Sequence, residues 1–309
     1  MTGSQPMTDT ASRPASSVDN SSSASADAHA AGKSHLVVEN ISKGYGDEWD
    51  FQDVISELSL DVLPGKMTVV VGPSGCGKST LVNLIAGYEK PDTGRIEIDD
   101  KLVTGPGKDR MVVFQETALI PWQTTYQNVA FGPKLRGEKR GSELDEEVKR
   151  LLVKVGLGEF MYKYPLQLSG GMQRRAELAR ALINQPRIMI MDEPFRGLDA
   201  MSRGLMQEFF LRLFEENRRT NLFVTSEIDE AIFLADRLVI LSNRPATVRK
   251  VIDIDLPRPR HYSMLNSSKA FAYKREAMEI LHEEAMKSFR PSASSNAASA
   301  RNYSAESGH

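Results

Sequence analysis

The chain has 309 residues, 40% of them hydrophobic and 26% charged, with a formal net charge of −2. That length holds one large domain or two ordinary ones with a closed core, and the near balance of charge excludes a global pull toward nucleic acid or anionic lipid. The single cysteine, Cys76, excludes a disulfide framework and points to a reducing compartment.

No apolar run reaches the ~18 residues that crossing a bilayer takes, and no charged leader with an apolar stretch opens the chain. The expectation is a soluble, intracellular protein that meets a membrane only through a partner. Residues 1–34 are rich in Ser, Ala, Thr and Asp; such a composition cannot offset its ordering entropy and predicts disorder. From His35 short apolar alternations begin: Leu36-Val37-Val38, Leu58-Leu60-Val62 before Pro64-Gly65, then Met67 to Val71. These read as strands, as do Arg95 to Ile98 and the apolar Met111 to Phe114. A helix-rich section follows, with an amphipathic helix over 144–155 that stops at Gly156 and another over 172–184 halted before Pro186. Strands over 188–191 and 222–225 read as parts of a buried parallel sheet, separated by a helix through 205–214. Residues 238–241 add one more strand. Pro257 and Pro259 mark a boundary, and residues 268–288 then predict a helix with Phe271, Met278, Leu281 and Ala285 on one face. A Ser/Ala/Asn-rich tail from 291 is again expected to be disordered.

Three motifs carry chemistry. Gly72-Pro73-Ser74-Gly75-Cys76-Gly77-Lys78-Ser79-Thr80 is a complete G-x-x-x-x-G-K-[ST] loop between a strand and a helix. Its glycines let backbone N–H groups surround phosphates, Lys78 reaches the β- and γ-phosphates, Ser79 holds Mg²⁺, and the helix start adds its positive dipole end. Cys76 reads as a small residue tolerated in the loop rather than a nucleophile. The second motif is the apolar strand that ends in Asp192-Glu193. Asp192 suits the Mg²⁺ shell, and Glu193 suits a general base that polarises water; the simpler alternative is a pair of helix-capping carboxylates. The third is Leu168-Ser169-Gly170-Gly171-Met172 ahead of a helix, which offers an anion site by backbone geometry or a plain helix cap.

In that order and spacing the motifs resemble those of the ATP-binding-cassette (ABC) ATPases, over about residues 35–260. The resemblance implies an α/β fold: a P-loop NTPase core with an antiparallel β subdomain and a helical subdomain. The implied division is a tail over 1–34, the ATPase domain over 35–256 with its helical subdomain over about 116–172, a helical extension over 257–290, and a tail over 291–309. It also implies that Tyr45 stacks on adenine, for which ~1–3 kcal/mol per base gives the scale. Gln115 becomes the Mg²⁺-sensing residue that leads into a transporter-facing loop reaching Asn128. Ser169, Gly170 and Gly171 would complete the ATP site of an opposite subunit in a head-to-tail dimer, with Leu198-Asp199 crossing the interface.

One position departs from the pattern. The family shows a histidine after the strand over 222–224, and this chain has Ser226 within Thr225-Ser226-Glu227. Serine cannot become cationic and at most hydrogen-bonds the γ-phosphate. Ser226 lowers turnover in a homodimer, or the subunit pairs with a second ABC ATPase that has the histidine, or another group replaces it; all three stay open here. Further details resemble the nitrate/sulfonate/taurine importer group: Pro121-Trp122, Asn128 to Gly132, Tyr164-Pro165, Asp192 to Phe195, and Leu256 to Arg260. Arg196-Gly197 stands where that group has Gly-Ala. The implied protein is the ATPase subunit of an importer for a small oxyanion or organic solute, cytoplasmic and peripheral on the inner membrane face. Its cofactors would be ATP and Mg²⁺, its partners membrane permease subunits and, indirectly, a solute-binding protein. No basic stripe with interleaved aromatics argues for nucleic acid. The alternative is a regulatory or catalytically weakened ATP-binding module.

Overall fold

The computed structural model describes residues 34–137 and 141–288. The tails expected to be disordered lie outside the described residues, Ser34 apart. Alternating burial produces the first sheet. Leu36, Val38 and Ile41 of β1 (Leu36–Tyr45) are buried, and β1 pairs antiparallel with β2 (Gln52–Val62), Leu36 opposite Val62. On its other side β1 pairs antiparallel with β4 (Thr93–Ile98), and the short β5 (Lys101–Leu102) completes the order β2-β1-β4-β5.

The second sheet is built from strands without alternation, as burial on both faces demands. Every residue of β3 (Met67–Val71) and β8 (Thr220–Val224) is buried. With β6 (Arg110–Val113), β7 (Ile188–Asp192), β9 (Arg237–Leu241) and β10 (Val248–Asp253) they make a six-stranded sheet of order β10-β9-β3-β8-β7-β6. All its pairings are parallel except that of β10 with β9. Neither β5 nor β10 was expected from the alternation. β10 carries Arg249, Lys250 and an exposed Val251, the mark of an edge strand rather than a core one.

Helices cover this sheet and form a separate bundle. They are α1 (Lys78–Ala86), α2 (Thr125–Arg136), α3 (Gly141–Lys154), α4 (Gly170–Leu182), α5 (Ala200–Glu216), α6 (Ile228–Leu234) and α7 (Ser268–Ser288). Leu81, Leu84 and Ile85 of α1 share a core with β1, β2 and one face of the parallel sheet. On the other face Phe195, Phe210 and Phe223 cluster with ring centroids 5.7–6.2 Å apart, joined by Ile232 and Phe233 of α6. A third core holds Val129, Leu144, Val148, Leu152, Ala176 and Ala179, tying α2, α3 and α4 together. Helix α2 was hidden in the sequence by Gly132 and Pro133. Its start is nonetheless written there: Thr124 accepts from the Gln127 amide at 3.3 Å and its own amide donates to Gln127 Oε1 at 2.9 Å, a capping box.

The face expected for α7 is corrected in part: Leu281 packs against the main core, but the two other large residues do not. Phe271 is 64% and Met278 50% exposed, whereas Ala270, Ala277 and Glu284 are buried. Small residues let the helix sit close to the domain, and Glu284 is tolerated inside because it accepts from the Asn243 amide at 3.1 Å and pairs with Arg249 at 3.2 Å.

Candidate active site

Sheet order assembles the site. The phosphate loop leaves the end of β3, Ser226 follows β8, Asp192 ends β7 and Gln115 follows β6, and those four strands are consecutive neighbours. Four segments far apart in sequence therefore open on one edge of a parallel sheet, outside the carboxyl ends of its strands, where ligands of such sheets bind.

The loop itself is locally determined. Gly77 caps α1 with φ 119°, and a Cβ there would lie 3.0 Å from Val54 Cγ1, so both conformation and space require glycine. Lys78 is buried and its Nζ donates to the Gly72 and Pro73 carbonyls, each at 3.0 Å. Its ammonium is folded onto the loop whose phosphates it would meet. Cys76 is fully buried, and burial pushes its thiol pKa up, away from the reactive thiolate. Tyr45, at the end of β1, is 41% exposed, bonds Glu89 through its hydroxyl and reaches the Thr80 side chain. That places an accessible ring beside the start of α1.

Glu193 has φ 43°, a left-handed conformation rare for a side chain of its size, held by its amide donating to the Val224 carbonyl at 2.8 Å. Such outliers persist only where the surroundings over-determine them. Burial pushes the Asp192 carboxyl above its ordinary range, and the hydrogen bond from the Ser79 hydroxyl draws it partly back. Glu193 is 8% exposed and accepts from Arg196 Nη1 at 2.9 Å. A small cavity of about 140 Å³ is bordered by Glu193, Arg196, Arg203, Ser226, Glu227 and Glu230. Glu230 is buried, bonded by Gln207 Nε2 at 2.8 Å, and its carboxyl is pushed up by that burial.

Gln115 is exposed just past β6. A buried link that sequence reading missed ties this loop to α4. Arg174 donates to the Phe114 and Gln115 carbonyls at 2.8 and 2.6 Å, Glu177 accepts from the Ala118 amide at 3.1 Å, and Arg180 donates to the Ala118 carbonyl at 2.6 Å. At the head of α4, Ser169 caps the helix by accepting from the Met172 amide at 3.3 Å. Gly171 leaves open space in front of it, where a Cβ would meet nothing within 4 Å, while a Cβ on Gly170 would lie 3.5 Å from Leu198 Cδ2. They share a cleft with Leu198 and Asp199, and none of residues 72–80 lines it. The structure thus brings together Lys78, Ser79, Asp192, Glu193, Ser226 and Gln115 at one sheet edge, and puts Ser169, Gly170 and Gly171 on a cleft of their own.

Among the described residues no cluster of three or more His, Cys, Asp or Glu forms a protein cage for a metal. A magnesium ion keeps several waters and is held by one or two protein groups plus phosphate oxygens. The Asp192 carboxylate, hydrogen-bonded by the Ser79 hydroxyl, offers such a pair.

The ABC transporter family profile matches residues 55–196. A bicarbonate transport ATP-binding protein of Synechococcus elongatus is 42% identical, the match covering 78% of this chain and 91% of that protein. A nitrate import ATP-binding protein of the same species is 43% identical over 74% of this chain and 84% of its own length. Among solved structures, the dimeric post-hydrolysis state of an ATP-binding cassette bound to ADP and Pi superposes with a TM-score of 0.63 at 28% identity, covering 72% of this chain and all of that one. Fold and relatives agree: the chain is an ATP-hydrolysing, ATP-binding subunit of the ABC transporter family.

Proposed function

We propose that this importer ATPase drives uptake of a small oxyanion or organic solute of the nitrate/sulfonate/taurine kind through membrane permease subunits, from the inner face of the cell membrane. The observation that carries the permease contact is the loop before α2. Trp122 is 77% exposed there, and the next residue, Gln123, lines a groove of about 740 Å³ with Tyr126, Gln127, Phe131 and Leu135. Asn128, fully buried, pins that loop by donating to the Ile120, Gln123 and Thr124 carbonyls at 3.1 Å. An exposed indole on a rigid loop offers a ready anchor for another protein. The loop expected to reach Asn128 ends earlier, because α2 begins at Thr125.

In this reading residues 35–256 make the ATPase domain with a helical subdomain over about 116–172, and 257–290 extend it. Tyr45 receives adenine, the loop from Gly72 to Thr80 receives the phosphates, and Ser79, Asp192 and Gln115 hold Mg²⁺, which neutralises phosphate charge when bound. Glu193 polarises the attacking water, with Ser226 on the γ-phosphate side. The open cleft at Ser169, Gly170 and Gly171 serves the loop of a second subunit, either another copy or a second ABC ATPase. Two relatives named for bicarbonate and nitrate support the oxyanion class. Solute choice would rest with the permease and a solute-binding protein.

Trp122→Ala tests the reading. Uptake of a labelled oxyanion by cells carrying that variant should fall while the purified subunit keeps its ATPase rate and its melting temperature. A joint fall of uptake, ATPase and folding would instead make Trp122 a structural aromatic.

A further inference from the structure

Beyond the strand ends, the turn that carries Arg196 adds a group to the site. Arg196 Nη1 donates to Glu193 Oε2 at 2.9 Å, while the Arg196 amide donates to the Glu193 carbonyl at 3.1 Å. Backbone and side chain of residue 196 therefore both close onto residue 193. The main chain of Glu193 is locked by its left-handed φ and its bond to Val224, so the side-chain torsions are its remaining freedom. The guanidinium is what restrains them.

The second cation bordering the cavity, Arg203, acts on its other carboxylates, Glu227 and Glu230, and no bond joins it to Glu193. Arg203 Nη2 donates to the Leu198 carbonyl at 3.0 Å, and its Nη1 stands 3.8 Å from Glu227. The remaining groups at the cavity are Thr225, the uncharged Ser226 and the carboxylates of Glu193, Glu227 and Glu230. A cavity so rich in carboxylate next to a phosphate site gains from a fixed positive charge, and a guanidinium keeps its charge at any working pH.

We propose that Arg196 is a positioning residue for ATP hydrolysis: its guanidinium aims the Glu193 carboxylate and brings to this cavity the positive charge that serine at 226 does not. The proposal rests on the reading of Glu193 as base. Arg196 is 63% and Glu193 10% exposed on their side chains, so water screens the arginine end of the pair and its contribution to folding is small. Its removal should therefore be read in turnover rather than in stability.

The test uses the full-length chain, alone or assembled with its permease, and compares kcat and KM for ATP. Arg196→Ala is expected to lower kcat by about 10- to 10²-fold, the scale of a misaimed catalytic group, with KM and melting temperature unchanged. Arg196→Lys should recover most of the loss, and Ser226→His should raise turnover more in the Arg196→Ala background than in the parent. Parental or higher turnover in Arg196→Ala, or a lysine variant no better than alanine, overturns the proposal. Glu193→Gln, measured alongside, separates the two claims: if it turns over at the parental rate, the base assignment itself falls and this proposal with it.

Discussion

The phosphate loop and the segment Ser169 to Gly171 at the head of α4 are both glycine-rich helix starts, yet they differ in how far the chain encloses them. Gly72 to Thr80 is closed on itself: Lys78 bonds the loop's own carbonyls, and Gly77 is hemmed in by Val54. Ser169 to Gly171 opens on a cleft that the loop does not enter, with the helix cap already satisfied by Ser169 itself. One is enclosed by its own chain; the other faces open space, and the proposed function gives that space to the loop of a second subunit. Amides at a helix start attract anions in either place, and what separates the two is enclosure by the chain itself.

The comparison breaks most sharply at Lys78. Lys78→Ala should abolish ATP binding by calorimetry and leave no measurable turnover, because the ammonium that offsets the charge of the β- and γ-phosphates is gone. Nucleotide bound at parental affinity would remove the loop from the site. Glu193→Gln should keep binding but slow turnover by about 10²–10⁴, and it should leave an ATP-loaded dimer visible by size-exclusion chromatography.

Gly171→Glu puts a carboxylate where the cleft presents amides. Binding by the single chain should survive while turnover drops by about 10²–10³, the effect of losing one such donor. Mixing the Lys78→Ala and Gly171→Glu chains sharpens the point. In a head-to-tail homodimer each mixed pair regains one intact site, so activity should reappear on mixing. Two inactive chains that stay inactive together would mean that the cleft does not serve a second copy's loop.

The smallest effect concerns Glu230. Its folded pKa is raised by burial, so the native state holds its proton over a window in which the unfolded chain has released it. Stability should fall as pH climbs from the ordinary carboxylate range through that raised value. Glu230→Gln should flatten this part of a pH series of melting temperatures; an unchanged slope would show that Glu230 is not its source.

Much of this was legible from the residues in order. The strand ahead of Gly72, the paired carboxylates of Asp192-Glu193 and the span of α7 at 268–288 all follow from runs of side chains that act on their neighbours. Two failures have local causes. Gly132 and Pro133 masked α2, although its capping box was present at Thr124 and Gln127. Phe271 and Met278 suggested the wrong face of α7, where Ala270 and Ala277 make the close contact. The links from Arg174, Glu177 and Arg180 to the segment around Gln115 and Ala118 span about sixty residues, and no local pattern announces them.

What the sequence by itself determined is the chemistry: a loop of nine residues that wraps phosphates through backbone conformation, and a strand ending in two carboxylates. Both are properties of contiguous residues, so their order is enough to state them. Tertiary structure alone decided which ends meet. The strand order β3-β8-β7-β6 put Lys78, Ser226, Glu193 and Gln115 on one edge, bent Glu193 into a left-handed turn and set Arg196 against it. Those contacts depend on strand pairing and burial between segments distant in the chain, and such pairing is settled only when the whole core closes.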